Sequence, residues 1–296
     1  MTTRKKFLLK LPSRTLELGE RTLVMGVLNV TPDSFSDGGK FLAPEAAIKQ
    51  ALAIVAAGAD FIDIGGESTR PGSLETPPAE ELDRILPVLE GLRDRITIPI
   101  SVDTRRAAVA ELVLRAGAEI INDVSGLKHD PGIAAVATEQ GAALILMHMR
   151  GEPQTMQKTP FARDVMSDVI HGLRHSVAIA RKAGLPKSQI ILDPGIGFGK
   201  SYAQNYELLH KLSQLAKLGF PLLVGASRKG FLGATLAREG RPVPSDERIW
   251  GTAAAVTASI LNGAHIVRVH DVAEMVQVAR VADCVVQPQR APKNRD

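Results

Sequence analysis

Residues with acid, base and anion-binding chemistry recur at one kind of place in this sequence, the far end of a short apolar run. Asn29 closes TLVMGVLNV, and Asp63 stands in FIDIGG with Glu67-Ser68-Thr69-Arg70 just beyond it. Asp103 lies in PISVDT, Asn122 and Asp123 in EIINDVSG, His148 in ALILMHM and Asp193 in IILDPGIG. Ser227 closes PLLVGAS and is followed by Arg228 and Lys229, while Arg268, His270 and Asp271 lie in HIVRVHDV. Arg268 and His270 stand two apart, so on a strand both point the same way, and such a pair reads as an anion clamp. Ser227 and Lys229 have the same spacing and share a side if the strand reaches them. Asp103 and Asp193 are carboxylates, each able to accept parallel N–H bonds from the edge of a heterocycle. The expectation is a bipolar ring, with a cationic sector for phosphate set apart from a carboxylate sector.

For these side chains to meet, the fold must gather the ends of its strands. The eight apolar runs alternate with segments whose apolar residues recur at i, i+3 and i+4, such as PEAAIKQALAIVAAG, AEELDRILPVLEGLRDR, RRAAVAELVLRAG and IWGTAAAVTASILNG. Strands alternating with helices argue for a parallel sheet. A weak repeat supports this: AAGADFIDIGG, RAGAEIINDVS, EQGAALILMHM and LNGAHIVRVHD each place a glycine (Gly58, Gly117, Gly141, Gly263) where a helix would stop in a left-handed cap. Eight such units in about 270 residues predict an α/β fold, the (β/α)8 TIM barrel, whose active sites lie where the strands end. A doubly wound open sheet is the alternative, but it usually has fewer strands and a glycine-rich turn after the first. Here that turn is TPDSFSDGG. Strand ends are polar wherever water begins, yet all eight runs ending so weighs towards one functional rim. Ahead of the barrel, FLLKL and TLEL read as a hairpin turning near Pro12-Ser13. The predicted organisation is an N-terminal β-hairpin over 1–20 capping a catalytic barrel over 21–287, with a flexible tail over 288–296.

Two polar loops leave the predicted rim, TPDSFSDGG and GESTRPG. Loops so placed carry function, and these read as a lid that closes over reactants and excludes water. DPGIGFGKS resembles a P-loop but has Pro194 where the first glycine belongs, and it follows a sixth strand, so nucleotide hydrolysis is disfavoured. Of the 296 residues, 45% are apolar but only 4% aromatic, so the core must be Val, Ile, Leu and Ala. The net charge is +4, from 36 basic and 32 acidic residues that are dispersed; a nucleic-acid surface would show a basic stripe with stacking aromatics. The single cysteine, Cys284, excludes an internal disulfide, reads as a small buried hydrophobe and fits a reducing compartment. With no apolar signal core and no long apolar run, a cytoplasmic protein without a membrane span is expected.

In order, MGVLNVTPDSFSDGG, IDIGGESTRPG, ISVDT, INDVSG, LMHMRG, LDPGIGFGK, LVGASRKGF and IVRVHDV resemble the dihydropteroate synthases of the folate pathway, over residues 22–285. Any one of these motifs alone is weak, and together they are specific. The resemblance implies a (β/α)8 barrel, usually dimeric and a sulfonamide target. It implies condensation of 6-hydroxymethyl-7,8-dihydropterin diphosphate with 4-aminobenzoate to 7,8-dihydropteroate and pyrophosphate, with Mg2+. It implies that Asn29 is a Mg2+ ligand beside the diphosphate, and that Asp103, Asn122, Met147, Asp193 and Lys229 hold the pterin. Arg268, His270 and Thr69 would bind the diphosphate. Thr69, Arg70, Pro71, Phe198, Ser227 and Phe35 would surround the aminobenzoate. Catalytic roles fall to Lys229, Asp103, Arg268, His270 and Asp37, the last able to take the amine proton. Residues 31–39 and 65–71 would be the closing loops. Two rivals stand: a corrinoid-type pterin-binding methyltransferase barrel, which has no use for a diphosphate clamp, and a non-catalytic pterin-binding paralogue, which would have lost part of the ring.

Overall fold

In the computed structural model, residues 4–31, 43–68, 75–152, 155–156 and 161–292 are described. The predicted hairpin is present: β1 (Phe7–Lys10) pairs antiparallel with β2 (Thr15–Leu18). Among the described residues, one eight-stranded parallel sheet follows. Its strands are β3 (Leu23–Asn29), β4 (Phe61–Gly65), β5 (Ile100–Asp103), β6 (Ile120–Asp123), β7 (Ala143–Met147), β8 (Ile190–Asp193), β9 (Leu223–Val224) and β10 (Ile266–Val269). Each pairs with its chain neighbour, β10 returns to β3, and a parallel bridge between Leu192 and Leu222 joins β8 to the β9 side. That closure is the (β/α)8 barrel. The helices around it are α1 (Ala43–Ala56), α2 (Pro78–Leu92), α3 (Ala107–Arg115), α4 (Ile133–Glu139), α5 (Val165–Lys182), α6 (Tyr202–His210), α7 (Gly230–Thr235), α8 (Ile249–Leu261) and α9 (Val272–Val286). The repeated glycines do end helices in left-handed backbone, with φ of +110° at Gly117 and +101° at Gly263.

Strand period sets what faces where. Alternate residues of each strand point to opposite faces. Val24, Ile62, Val102, Ile121, Leu144, Leu192 and Val267 point outward into the shared core beneath the helices. Met25, Phe61, Ile120, Ile145, Ile191, Leu223 and Ile266 point inward and form a second core with Leu9, Leu11 and Leu18 of the hairpin region. The hairpin therefore seals the end where the strands begin. Arg4 fastens it there, donating from Nη2 to Asp283 Oδ1 of α9 and to Thr22 Oγ1, both at 3.0 Å.

The structure corrects β9. PLLVGAS gives a strand of only two residues, Leu223–Val224. Ser227 lies in the turn beyond it and Lys229 is the N-cap of α7, so the pair shares no strand face. Arg228 between them has φ +58°, a left-handed conformation that breaks the strand path. Cys284 is half-buried on α9 rather than fully enclosed. Pro288–Arg290, in the predicted tail, forms a 3-10 turn whose Arg290 donates to Glu20 O. No described helix is long and apolar enough to cross a membrane.

Candidate active site at the barrel mouth

Two residues beyond each inward-facing apolar residue, the same face turns polar. Phe61 is succeeded by Asp63, Ile120 by Asn122, Ile191 by Asp193 and Ile266 by Arg268; Ser101 and Asp103 complete the layer on β5. Asp63 is fully buried, and its Oδ2 accepts from Arg268 Nε at 2.6 Å and from Asn122 Nδ2 at 2.9 Å. Arg268 Nη2 also donates to Asp103 Oδ2 at 3.3 Å. The expected separation of cationic and carboxylate sectors is therefore wrong. Arg268, itself half-buried, sits between two carboxylates, because buried carboxylates must be paired. Its Nη1 takes part in neither bond. Asp63 Oδ1, Asn122 Oδ1 and Ser101 Oγ are buried without a hydrogen-bond partner. Unpaired buried polar atoms are costly unless something else satisfies them, and a ligand edge rich in N–H donors would do so.

Burial pushes the Asp103 carboxyl up to about 8, with Arg268 opposing and Asp63 adding to the rise. Burial likewise raises Asp193 to about 6, against the Gly195 N–H at 2.7 Å and the charges of Lys229, Lys200 and Arg268. Burial and then Arg268 lower Lys229 to about 8, while Asp193 and Asp103 pull it up. Asp103, Asp193 and Arg268 stand at the ends of β5, β8 and β10, and Lys229, the N-cap of α7 after β9, packs against Gly197 beyond β8, so the four share one mouth. Lys229 Nζ stands 4.0 Å from the centroid of the Phe198 ring, a cation–π contact. Phe198 joins Val124, Met147, Met149 and Met156 in a separate apolar cluster, a wall suited to a flat ring.

His270 follows β10 directly. Its backbone N–H donates to Ser227 Oγ at 3.2 Å, and its Nδ1 lies 3.0 Å from the same oxygen. Burial, then Arg268, Arg228 and Lys229, lower its pKa to about 3, so the ring is neutral. Ser227 Oγ thus meets both the backbone N–H and Nδ1, which leaves Nε2 as the ring nitrogen outside this contact. The next residues repeat the staple: Arg228 Nε donates to Asp271 Oδ2 at 3.1 Å, and Arg228 N donates to Thr252 Oγ1. Asn29 ends β3 across the rim. Its Oδ1 and Asp103 Cβ lie 3.7 and 3.8 Å from where a Gly65 Cβ would be, so the two side chains flank Gly65 at ordinary contact distance.

The mouth thus gathers Asn29, Asp103, Asn122, Met147, Asp193, Phe198, Ser227, Lys229, Arg268 and His270. Phe35, Asp37, Thr69, Arg70 and Pro71 lie outside the described residues. Asp123, named with the ring, is a loop brace on the opposite strand face, accepting from Ser125 N, Ser125 Oγ and Leu127 N at 2.6–2.8 Å. Asp63 had no assigned role, although a carboxylate inside an otherwise apolar strand signals a partnered buried charge. Arg105 and Arg106 escaped notice as an ordinary helix start. Arg106 meets Glu67 at 3.1 Å, Glu81 at 2.7 Å and Glu75 at 2.8 Å, and Arg105 meets Glu67 at 3.3 Å. Burial raises the Glu67 carboxyl, but Thr76 N–H and the two arginines outweigh it and hold it low.

A closed parallel barrel carrying paired carboxylates, a lysine and an arginine at its mouth is an enzyme scaffold of known kind. The profile of the family described as pterin binding enzyme matches residues 25–270, and the chain belongs to that family. Within it the chain is 51% identical to the dihydropteroate synthase of Synechocystis, over 90% of this chain and 91% of that one. The Xanthomonas albilineans dihydropteroate synthase with 4-aminobenzoic acid superposes with a TM-score of 0.88 at 41% identity, covering 97% of this chain and 100% of that one. The Yersinia pestis dihydropteroate synthase in a sulfonamide drug complex gives 0.86 at 44% identity, with the same coverage.

Proposed function

We infer that this barrel is a dihydropteroate synthase, a transferase of folate biosynthesis. It condenses 6-hydroxymethyl-7,8-dihydropterin diphosphate with 4-aminobenzoate, giving 7,8-dihydropteroate and pyrophosphate. The observation that carries this reading is the polar inner layer, in which Asp63, Asp103, Asn122 and Asp193 offer acceptors to the N–H edge of a pterin. The C–O bond to the diphosphate breaks with its electron pair leaving on oxygen, and the arylamine lone pair forms the new C–N bond. One amine proton is released, and Asp37 is our proposed acceptor. Positive charge spread over the pterin faces the Asp193 carboxylate, with Asp103 beside it as a hydrogen-bonding group. Charge gathered on pyrophosphate faces Arg268 and His270. The arylamine is a weak nucleophile, so orienting it contributes more than activating it. Phe198 and Lys229 form the side against which it would be oriented, with Ser227, Phe35, Thr69, Arg70 and Pro71 completing the subsite.

Magnesium belongs to this proposal. Among the described residues no group of three or more His, Cys, Asp or Glu side chains could cage a metal, and Mg2+ is commonly held by one or two protein oxygens plus substrate phosphates and water. The Asn29 amide oxygen is a hard donor at the rim beside Asp103, so the residues fit. When bound, the ion supplies charge neutralisation on the diphosphate.

A homodimer is also proposed. Trp250 on α8 is 80% exposed, and Val281 and Val285 on the adjoining α9 are exposed as well, an apolar surface suited to a second copy. Sedimentation of the wild type and of Trp250→Glu would give a dimer and a monomer; two monomers would reject it. A cytoplasmic location is part of the same reading, in keeping with the single unpaired cysteine.

The deciding experiment mixes the protein with the pterin diphosphate, 4-aminobenzoate and Mg2+. Dihydropteroate and pyrophosphate are expected in equal amounts, and the absence of both rejects the enzyme.

A further inference from the structure

The stretch that mimics a P-loop turns its lysine inward. Lys200 is 2% exposed. An ammonium has three donors, and those of Lys200 are aimed at Phe198 O at 2.9 Å, His148 O at 3.1 Å and His148 Nδ1 at 3.2 Å. With Lys200 donating to Nδ1, the ring proton of His148 sits on Nε2, which faces Asp168 Oδ2 on α5 at 3.5 Å. Burial and the charges of Lys200, Lys128 and Arg150 hold this histidine neutral. Gly172 of α5 makes room for the ring, since a Cβ there would lie 2.5 Å from His148 Cδ2. Burial lowers the pKa of Lys200 itself to about 7, with Asp193 and Asp168 opposing.

The backbone around Lys200 is built to be fastened. Gly195 and Gly199 have φ of +68° and +66°, and a Cβ on either would lie 1.9 and 2.1 Å from the carbonyls of His148 and Arg150. The segment after β8 is thus laid directly on the segment leaving β7. It carries Asp193 at one end and Phe198 near the other. Asp193 is held independently, by Gly195 N and by the bond from His148 N to Asp193 O at 2.9 Å. Phe198 has a backbone bond to Gly195 and the tie to Lys200.

We propose that Lys200 is a positioning residue for the aminobenzoate subsite: by tying Phe198 O to the exit of β7, it holds the Phe198 ring against Lys229. The inference rests on the dihydropteroate synthase reading. A lysine buried only for stability would leave substrate handling untouched, and this one predicts a selective defect.

The test is steady-state kinetics of Lys200→Met, with calorimetric titration of bare pterin, both above about pH 8 so that Asp193 stays ionised without the Lys200 charge. The expected result is a KM for 4-aminobenzoate raised about tenfold or more, with pterin affinity and kcat kept within about threefold. An unchanged KM, or equal losses for both ligands, overturns the proposal. If Lys200→Met does not fold, the partner side decides. His148→Asn keeps an acceptor for Lys200 and should retain a KM within about threefold of wild type, whereas His148→Leu should raise it about tenfold. Equal behaviour of the two overturns it as well. A wild type that makes no dihydropteroate defeats the underlying reading instead, a failure visible before any variant is made.

Discussion

The two ends of this barrel hold the same kinds of groups in opposite states. At the sealed end, both oxygens of Asp283 are satisfied, by Arg4, Thr22 N and Thr22 Oγ1. At the mouth, Asp63 shares one oxygen between Arg268 and Asn122 and leaves the other buried and unpaired. The histidines differ likewise. His265 accepts Leu222 N on Nδ1 at 3.1 Å, so its Nε2–H donates to Lys5 O at 2.9 Å, and both nitrogens serve the fold. His270 gives only Nδ1 to Ser227 and keeps Nε2 out of that contact. Arg4 Nε and Nη1 are buried without partners at the sealed end too, so the difference lies in the acceptors. Asp63 Oδ1, Ser101 Oγ and Asn122 Oδ1 stand unpaired on the inward face at the mouth, where a ligand's N–H groups could complete them.

The largest effect should follow Arg268→Ala, which leaves Asp63 and Asp103 buried without their cation. Truncating one partner of such a pair costs about 3–5 kcal/mol. Catalytic efficiency with the diphosphate substrate should fall by a factor on the order of 10² to 10³ or more, and by far more than binding of bare pterin does. Equal losses for both would erase the assignment of Arg268 to the leaving group. Next comes Asp193→Ala, which should weaken pterin by about 2–5 kcal/mol in calorimetry. Unchanged affinity would move the pterin elsewhere.

The mouth should also respond to acid through binding. Asp193 titrates near 6 in the fold, and the anion is the form that accepts pterin N–H bonds, so affinity should fall as pH drops below about 6. Asp193→Asn should bind weakly at every pH, with that dependence gone. The sealed end should respond through stability. Burial lowers His265 to about 4 from an ordinary 6.5, so the unfolded chain takes up the proton first. Stability is whole above about 6.5 and declines as pH falls towards 4, by roughly 3 kcal/mol if His265 acted alone. Denaturant melts of His265→Gln should lack that part of the decline. Smallest of all, Arg115→Ala breaks an exposed i, i+4 pair with Glu111 and should shift unfolding by under about 0.5 kcal/mol. A larger shift there would mean that surface pairs rival the buried networks.

Much of the site was legible because barrel strands impose a period. A polar residue two beyond an apolar one on an inward face must reach the mouth, as Asp193 after Ile191 and Arg268 after Ile266 do. What the period cannot give is partnership across the barrel. Asp63 and Arg268 are 205 positions apart, and they bond because β3 alone separates β4 from β10. The condition on which Ser227 and Lys229 would share a side, a strand reaching that far, fails for a related reason: the strand stops at Val224, and the left-handed Arg228, held by Asp271 and Thr252, turns the chain between them.

By itself, then, the sequence determined the eight-unit alternation, the hairpin, the glycine stops and the set of residues at the rim, because these follow from local period and residue chemistry. Only the tertiary structure decided that Arg268 is locked between carboxylates and that Lys200 faces the interior. Burial makes an unpaired charge too costly to leave alone, and which partner is within reach is fixed by barrel closure rather than by spacing along the chain.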